Sequence, residues 1–185
     1  MLFDLKEADS DPYSGKTFDV CICGAGVAGI TLALKLARRL SVLLLEGGDL
    51  EVTPESTNIY RGSIAGREYF DLTATRQRFF GGTSNHWGGM CRPLDAVDFE
   101  SKPWSPVSGW PINKRDLDPY VEEARSILDI IPEKQSPAGM TDALWREAAG
   151  KSADFRSIGW MWSKPTRFAE KYGEAIRQAK ICIVF

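Results

Sequence analysis

The chain has 185 residues, enough for one domain or somewhat more with a sizeable core. Hydrophobic residues make up 43% and charged residues 26%, ordinary values for a globular protein, and 23 basic against 25 acidic residues leave a net charge of −2. No basic stripe or interleaved aromatic pattern points to nucleic acid, and the longest apolar run falls far short of a bilayer span.

Residues 1–16 are polar and acidic, with no apolar stretch and no twin arginine, and read as neither signal peptide nor membrane anchor. Phe18 to Cys23 is a short, mostly apolar run that ends at a glycine and predicts a buried parallel strand. Cys21 and Cys23, two apart in that run, are expected to share one face as small core residues. With Cys91 and Cys182 they form no metal or disulfide framework, and one histidine leaves too few ligands for an ordinary zinc site. A reducing, cytoplasmic setting is therefore expected.

Val27 to Leu40 predicts a helix, with Lys35, Arg38 and Arg39 crowding the carboxyl end where the helix dipole favours cations. Ser41 to Leu45 predicts a second apolar strand, closing at Glu46-Gly47-Gly48, so that the segment forms a βαβ unit. Between the first strand and the helix lies Gly24-Ala25-Gly26-Val27-Ala28-Gly29. In this pattern Gly24 permits the tight turn, Gly26 lets the backbone approach a pyrophosphate, and Gly29 lets the helix pack closely on the sheet. The helix amino terminus offers N–H groups and a positive dipole end to the phosphates. Glu46 follows Gly24 by 22 residues, at the end of the second strand, where a carboxylate can accept ribose hydroxyls and disfavours a 2′-phosphate. A glycine turn that binds nothing is the alternative.

Residues 49–75 read as a long, partly irregular connection. Arg76 and Arg78 follow it, and their guanidinium groups could neutralise a pyrophosphate or stand as solvated loop cations. Next comes Gly81-Gly82-Thr83-Ser84-Asn85-His86-Trp87-Gly88-Gly89, with four glycines in nine residues. That density excludes an ordinary strand or helix and suggests close approach of backbone to a ligand. His86, the single histidine, is either a ligand-holding residue or a buried, hydrogen-bonded structural one, and Trp87 either a cofactor contact or a core aromatic.

Further on, Asp118-Pro119 predicts a helix start with Asp118 as N-cap, and Tyr120, Ala124, Ile127, Leu128 and Ile131 recur at helical spacing for packing. A loop over 132–139, a short helix over 141–149, a helix over 167–179 and a strand over 181–185 complete the expectations.

The pairing of the first glycine turn with Gly81–Gly89 resembles the glucose–methanol–choline (GMC) oxidoreductases, which are FAD-dependent. It is closest to their sugar- and glycoside-oxidising branch of pyranose oxidases, glycoside dehydrogenases and gluconate dehydrogenase flavin subunits. The resemblance continues through Arg92-Pro93-Leu94-Asp95, Asp98-Phe99, Ser108-Gly109-Trp110-Pro111-Ile112, Leu117 and Pro119-Tyr120. It reappears in Trp162-Ser163, Pro165-Thr166-Arg167-Phe168 and Glu170-Lys171-Tyr172, so it spans most of residues 17–185.

The resemblance implies an α/β fold, a Rossmann-like FAD-binding βαβ unit with irregular and helical additions, within an incomplete domain. Residues 17–100 would form the FAD-binding region, 101–180 a helical segment leading to a substrate domain, and 181–185 the start of a truncated strand. The implied cofactor-binding set is Gly24, Gly26, Val27, Ala28, Gly29, Glu46, Gly47, Arg78, Gly81, Gly82, Thr83, Ser84, Asn85, His86, Trp87, Gly88 and Gly89. In pyranose oxidases a histidine followed by tryptophan bonds covalently to the flavin, and His86-Trp87 matches that pair. The threonine two residues after that histidine is Gly88 here, and other members of the branch carry an asparagine-histidine-tryptophan run with dissociable FAD.

The implied reaction oxidises an alcohol or sugar to a carbonyl, a base taking the hydroxyl proton while hydride passes to the flavin. The family's catalytic histidine lies near its carboxyl terminus, and none stands there in this sequence. In the family the strand corresponding to 181–185 re-enters the FAD domain roughly a third of the way along the chain. The chain is therefore expected to be the amino-terminal part of a longer enzyme, without turnover of its own, and the resemblance leaves its electron acceptor open among oxygen, a quinone and an electron-acceptor protein such as a cytochrome subunit. A nicotinamide-dependent dehydrogenase module and a non-catalytic truncated dinucleotide-binding protein are the alternatives.

Overall fold

The computed structural model describes residues 2–5, 13–130, 160–179 and 181–185. In chain order they form strand β1 (Leu2–Phe3), strand β2 (Val20–Cys23), helix α1 (Val27–Leu36), strand β3 (Val42–Leu45) and the short helices α2 (Pro54–Asn58) and α3 (Leu72–Thr75). A 3-10 turn (Gly82–Asn85) precedes strand β4 (Met90–Cys91), helices α4 (Lys114–Leu117) and α5 (Val121–Ile127), strand β5 (Met161–Trp162), helix α6 (Phe168–Gln178) and strand β6 (Ile181–Val184). The expected loop over 132–139 and helix over 141–149 lie outside the described residues, as does Ile131. Among the described residues no helix is long and apolar enough to cross a membrane. The fold is mixed α/β, divided into two compact units, Met1–Trp87 with Arg167–Phe185, and Gly88–Thr166.

The first unit holds a four-stranded, all-parallel sheet in the order β1-β6-β3-β2. Val20 pairs with Val42 and Ile22 with Leu44, while Val42 pairs with Ile181. In a parallel sheet such partners share a face, and Ile22, Val42, Leu44 and Ile181 are all buried. Helices α1 and α6 pack on the sheet and on each other, with Ile30, Ala33, Phe168 and Ile176 fully buried. Gly29 makes the close approach possible, because a Cβ there would overlap the Gly24 carbonyl oxygen and press on Ile22.

The alternation of the pleat corrects the expectation for two cysteines. Cys21 and Cys23 point away from Ile22 and are exposed, so they are not core residues. Desolvation first, and the neighbouring Cys23 second, hold the Cys21 thiol above its ordinary value.

Helix α1 ends four residues earlier than expected, and Arg39 and Leu40 both donate to the Leu36 carbonyl in a tightened last turn. The β2–β3 pair opens on a latch. Asp19 Oδ2 accepts from the Ser41 amide (2.8 Å) and hydroxyl (2.7 Å), while the Asp19 amide donates to Ser41 Oγ (3.0 Å).

The second unit contains the antiparallel β4–β5 pair, with Met90 opposite Trp162 and Cys91 opposite Met161. Burial pushes the Cys91 thiol up. Two of its helical expectations change. Asn113, not Asp118, is the N-cap, its side chain accepting from the Arg115 amide, and Asp118 closes α4 with its carboxylate paired to Lys114. Helix α5 has no fully buried residue; Tyr120, 63% exposed, and Ala124 line an open groove with Leu94, Phe99 and Leu117, while Ile127 and Leu128 are half-buried.

The Asp19 latch carries a pH dependence. Hydrogen bonds from the Ser41 hydroxyl and amide hold the Asp19 carboxyl below its ordinary range. A carboxylate lowered in the folded state contributes stability that is present above the ordinary value and lost as pH falls through the folded one. Asp19→Asn should therefore flatten the acid limb of Tm against pH below about pH 4. An acid limb parallel to that of the parent protein would show that the latch contributes nothing.

Candidate functional site

The first glycine turn leaves β2 through Gly24, whose φ of +99° lies in the left-handed region open to glycine. Its amide donates to the Leu45 carbonyl (2.6 Å), which binds the turn to the end of β3. Gly26 is the N-cap of α1 and supplies no side-chain cap, and the helix has no acidic residue in its first turn. The first N–H groups of the helix, at Val27 and Ala28, therefore have no side-chain acceptor competing for them, in a positive dipole end. A Cβ at Gly26 would meet nothing within 4 Å, so the space above the turn is clear.

Glu46 follows β3 and turns back to that turn. Its Oε2 accepts from the Ala25 amide (2.7 Å) and its Oε1 from the Gly48 amide (2.9 Å). A carboxylate has about four lone-pair sites, so each oxygen retains capacity for one further donor, such as a ribose hydroxyl.

The second glycine run reaches the same place. Residues 78–80 lie alongside 46–49, with a parallel bridge between Asp49 and Phe79 and the Phe80 amide donating to the Asp49 carbonyl (2.8 Å). The Gly81 amide then donates to the Ala25 carbonyl (2.8 Å), and a Cβ at Gly82 would stand 3.2 Å from Gly26 Cα. The structure thus brings Gly24, Gly26, Gly29, Glu46, Gly47, Arg78 and the Gly82–Asn85 turn together within one unit.

Inside the turn, the buried Ser84 hydroxyl donates to the Gly81 carbonyl (2.7 Å) and accepts from the Phe168 amide (3.1 Å). Asn85 Nδ2 donates to the Phe80 carbonyl (2.9 Å). Ser84 and Asn85 therefore shape the loop, while Thr83 is exposed. His86 is exposed, and its ring has no hydrogen-bond partner among the described residues, which removes the buried structural histidine as an explanation. Trp87 is half-buried.

Gly88 and Gly89 belong to the second unit. Gly89 is buried there with φ +83°, and a Cβ would press on the Ser163 carbonyl, whose amide donates to the Gly89 carbonyl (2.8 Å). Backbone packing alone accounts for that glycine. Arg76 is exposed and donates to Thr75 Oγ1 (3.1 Å).

Sequence reasoning overlooked Arg167 as part of this site. Its Nη1 donates to the Ser84 carbonyl (2.8 Å) and the Trp87 carbonyl (3.1 Å), filling acceptors at the end of the 3-10 turn. The only signal in the sequence was its place in the Pro165-Thr166-Arg167-Phe168 run, 80 residues from Trp87.

No family model matches the sequence, and no curated protein matches it.

Removing the Arg167 side chain leaves two carbonyls of the turn without their charged donor. Arg167→Ala is expected to cost about 1–3 kcal/mol, read from denaturant unfolding. Arg167→Lys, which keeps the charge on a shorter reach, should recover part of it, because a single nitrogen makes both bonds. A loss within about 0.5 kcal/mol would show that the clamp is redundant.

Proposed function

We propose that this chain carries the FAD-holding part of a flavin-dependent oxidoreductase of the GMC type. The reaction is oxidation of an alcohol group, on a sugar or glycoside, to a carbonyl. The observation that carries this reading is the meeting of the two glycine runs, with Gly82 against Gly26 and the Gly81 amide on the Ala25 carbonyl, at an uncapped helix start beside Glu46. It supports taking the β2–α1–β3 unit and its parallel sheet as part of a Rossmann-like domain. A cytoplasmic setting goes with this proposal.

The residues fit the cofactor. The amides of Val27 and Ala28 would face its pyrophosphate, and Gly26 leaves room for it. Glu46 would take the adenosine ribose through the lone pairs its two backbone contacts leave unused. The 82–87 segment, held by Ser84, Asn85 and Arg167, would run beside the flavin. Bound FAD supplies the hydride acceptor, and an electron-acceptor molecule or protein would reoxidise it.

His86 is assigned to holding the flavin rather than to taking the hydroxyl proton, because it sits in the run that meets the dinucleotide turn. It is the only histidine of the 185 residues.

Purified chain should carry, or take up when supplied, a yellow chromophore with a flavin absorbance band. Glu46→Gln should weaken FAD uptake by about tenfold or more, since it removes a charge-assisted acceptor worth roughly 1.5 kcal/mol and sets an NH2 group against one of the two backbone amides that Glu46 holds. Protein that stays colourless with excess FAD overturns the proposal, and a nicotinamide in its place would support the dehydrogenase alternative. Acid precipitation separates the modes of attachment, since flavin left entirely in the supernatant rules out a bond to His86. The isolated chain is expected to show no oxidation of alcohols or sugars, and measured turnover would refute the division of labour assigned here.

A further inference from the structure

The two glycine runs differ in how far each is held by its own neighbourhood. The first turn, the start of α1 and Glu46 are tied together within residues 20–48, by the Glu46 bonds to the Ala25 and Gly48 amides and by the Gly24 amide on the Leu45 carbonyl. In the second run, the Ser84 hydroxyl and the Asn85 amide group donate back to the Gly81 and Phe80 carbonyls. The His86 amide closes the 3-10 turn on the Thr83 carbonyl (3.2 Å). The carbonyls of Ser84 and Trp87 are taken by a side chain 83 and 80 residues farther along.

That side chain arrives with the start of α6. Phe168 is fully buried and its amide donates to Ser84 Oγ (3.1 Å), so the first residue of the helix is seated on the turn. Gly81 admits it, since a Cβ there would stand 2.9 Å from the Ala169 amide nitrogen. Arg167, the residue before, places Nη1 on the Ser84 carbonyl (2.8 Å) and on the Trp87 carbonyl (3.1 Å). These two carbonyls bracket Asn85 and the exposed His86, so one half-buried, permanently charged nitrogen holds both ends of the segment that presents the imidazole. Ser84, Trp87, Arg167 and Phe168 all belong to the first unit. A segment already held at both ends has less freedom to lose when a ligand settles on it.

We infer that Arg167 is a positioning residue, which preorganises the Ser84–Trp87 segment for the flavin end of the cofactor and contributes nothing to its ADP end. This rests on the FAD reading given above. The site accordingly has two halves of different origin. Residues 20–48 suffice for the adenosine diphosphate, and the flavin half is completed only when the chain returns at Arg167.

The affinities of FAD and of ADP, measured by calorimetry, separate the two halves. The full chain is compared with Arg167→Ala, Arg167→Gln and Arg167→Lys, each checked to be folded under the assay conditions. Arg167→Ala should weaken FAD about tenfold or more while ADP stays within about twofold, a change in their ratio that a general loosening of the fold would not produce. Arg167→Lys should restore part of the ratio. The visible circular dichroism of bound flavin should fall in Arg167→Ala and return in part with lysine. Equal losses for FAD and ADP would reduce Arg167 to a stabiliser of the fold and overturn the inference, as would undiminished FAD binding in Arg167→Ala. Should Arg167→Ala not fold, Arg167→Gln, too short to reach both carbonyls, carries the comparison, and an unchanged ratio there overturns the inference. A parent chain that takes FAD but not ADP overturns the division into halves. A parent chain that binds neither overturns the FAD reading itself.

Discussion

The Glu46 carboxylate ties the turn after β2 to the bend after β3, one oxygen on the Ala25 amide and the other on the Gly48 amide. Both residues are buried, so without it both amides would lose their acceptor at the carboxyl edge of a parallel sheet, the edge at which open α/β sheets take their ligands. Because the bridge is a charge-assisted pair of hydrogen bonds, it sets the first glycine turn and the 46–49 segment as one piece. Residues 78–80 then dock on that piece through the Asp49–Phe79 bridge, and Gly81 follows onto the Ala25 carbonyl. The position of the second glycine run thus depends on an acid whose first role is structural.

Two kinds of constraint divide the glycine-rich run. From Gly81 to Trp87 the backbone is held by side chains of the first unit, Ser84 from within the run and Arg167 from outside it. At Gly89 the constraint is a close backbone neighbour, Ser163, and no ligand is needed to explain it. Read as a string, the run looks like one motif. In space its residues answer to different partners, although the resemblance implied one cofactor-holding role for them all. His86 and Thr83 are the members whose side chains stand exposed, and they are free for a ligand in a way that Ser84 and Asn85 are not.

The βαβ unit was legible because each of its parts carries a local signal: an apolar run ending at Gly24, helix formers from Val27, a second apolar run ending at Glu46. Strand partners were not, since β6 inserts between β3 and β1 from the far end of the chain, and pairing over such separation leaves no periodic trace. Asp118 shows a local signal misread: Asn113, five residues earlier, makes the cap, and two competing acceptors in one short stretch cannot be ranked without the backbone path.

The sequence by itself determined the mixed α/β character, the glycine turn with its following helix, and the acid at the end of the second strand, because strand and helix periods and left-handed glycines are properties of neighbouring residues. Tertiary structure alone decided that Cys21 and Cys23 face outward, since the two faces of a strand are equivalent until helices cover one of them. It also decided that Gly82 meets Gly26 and that Arg167 closes the turn, for these contacts join segments separated by tens of residues whose meeting depends on the completed sheet.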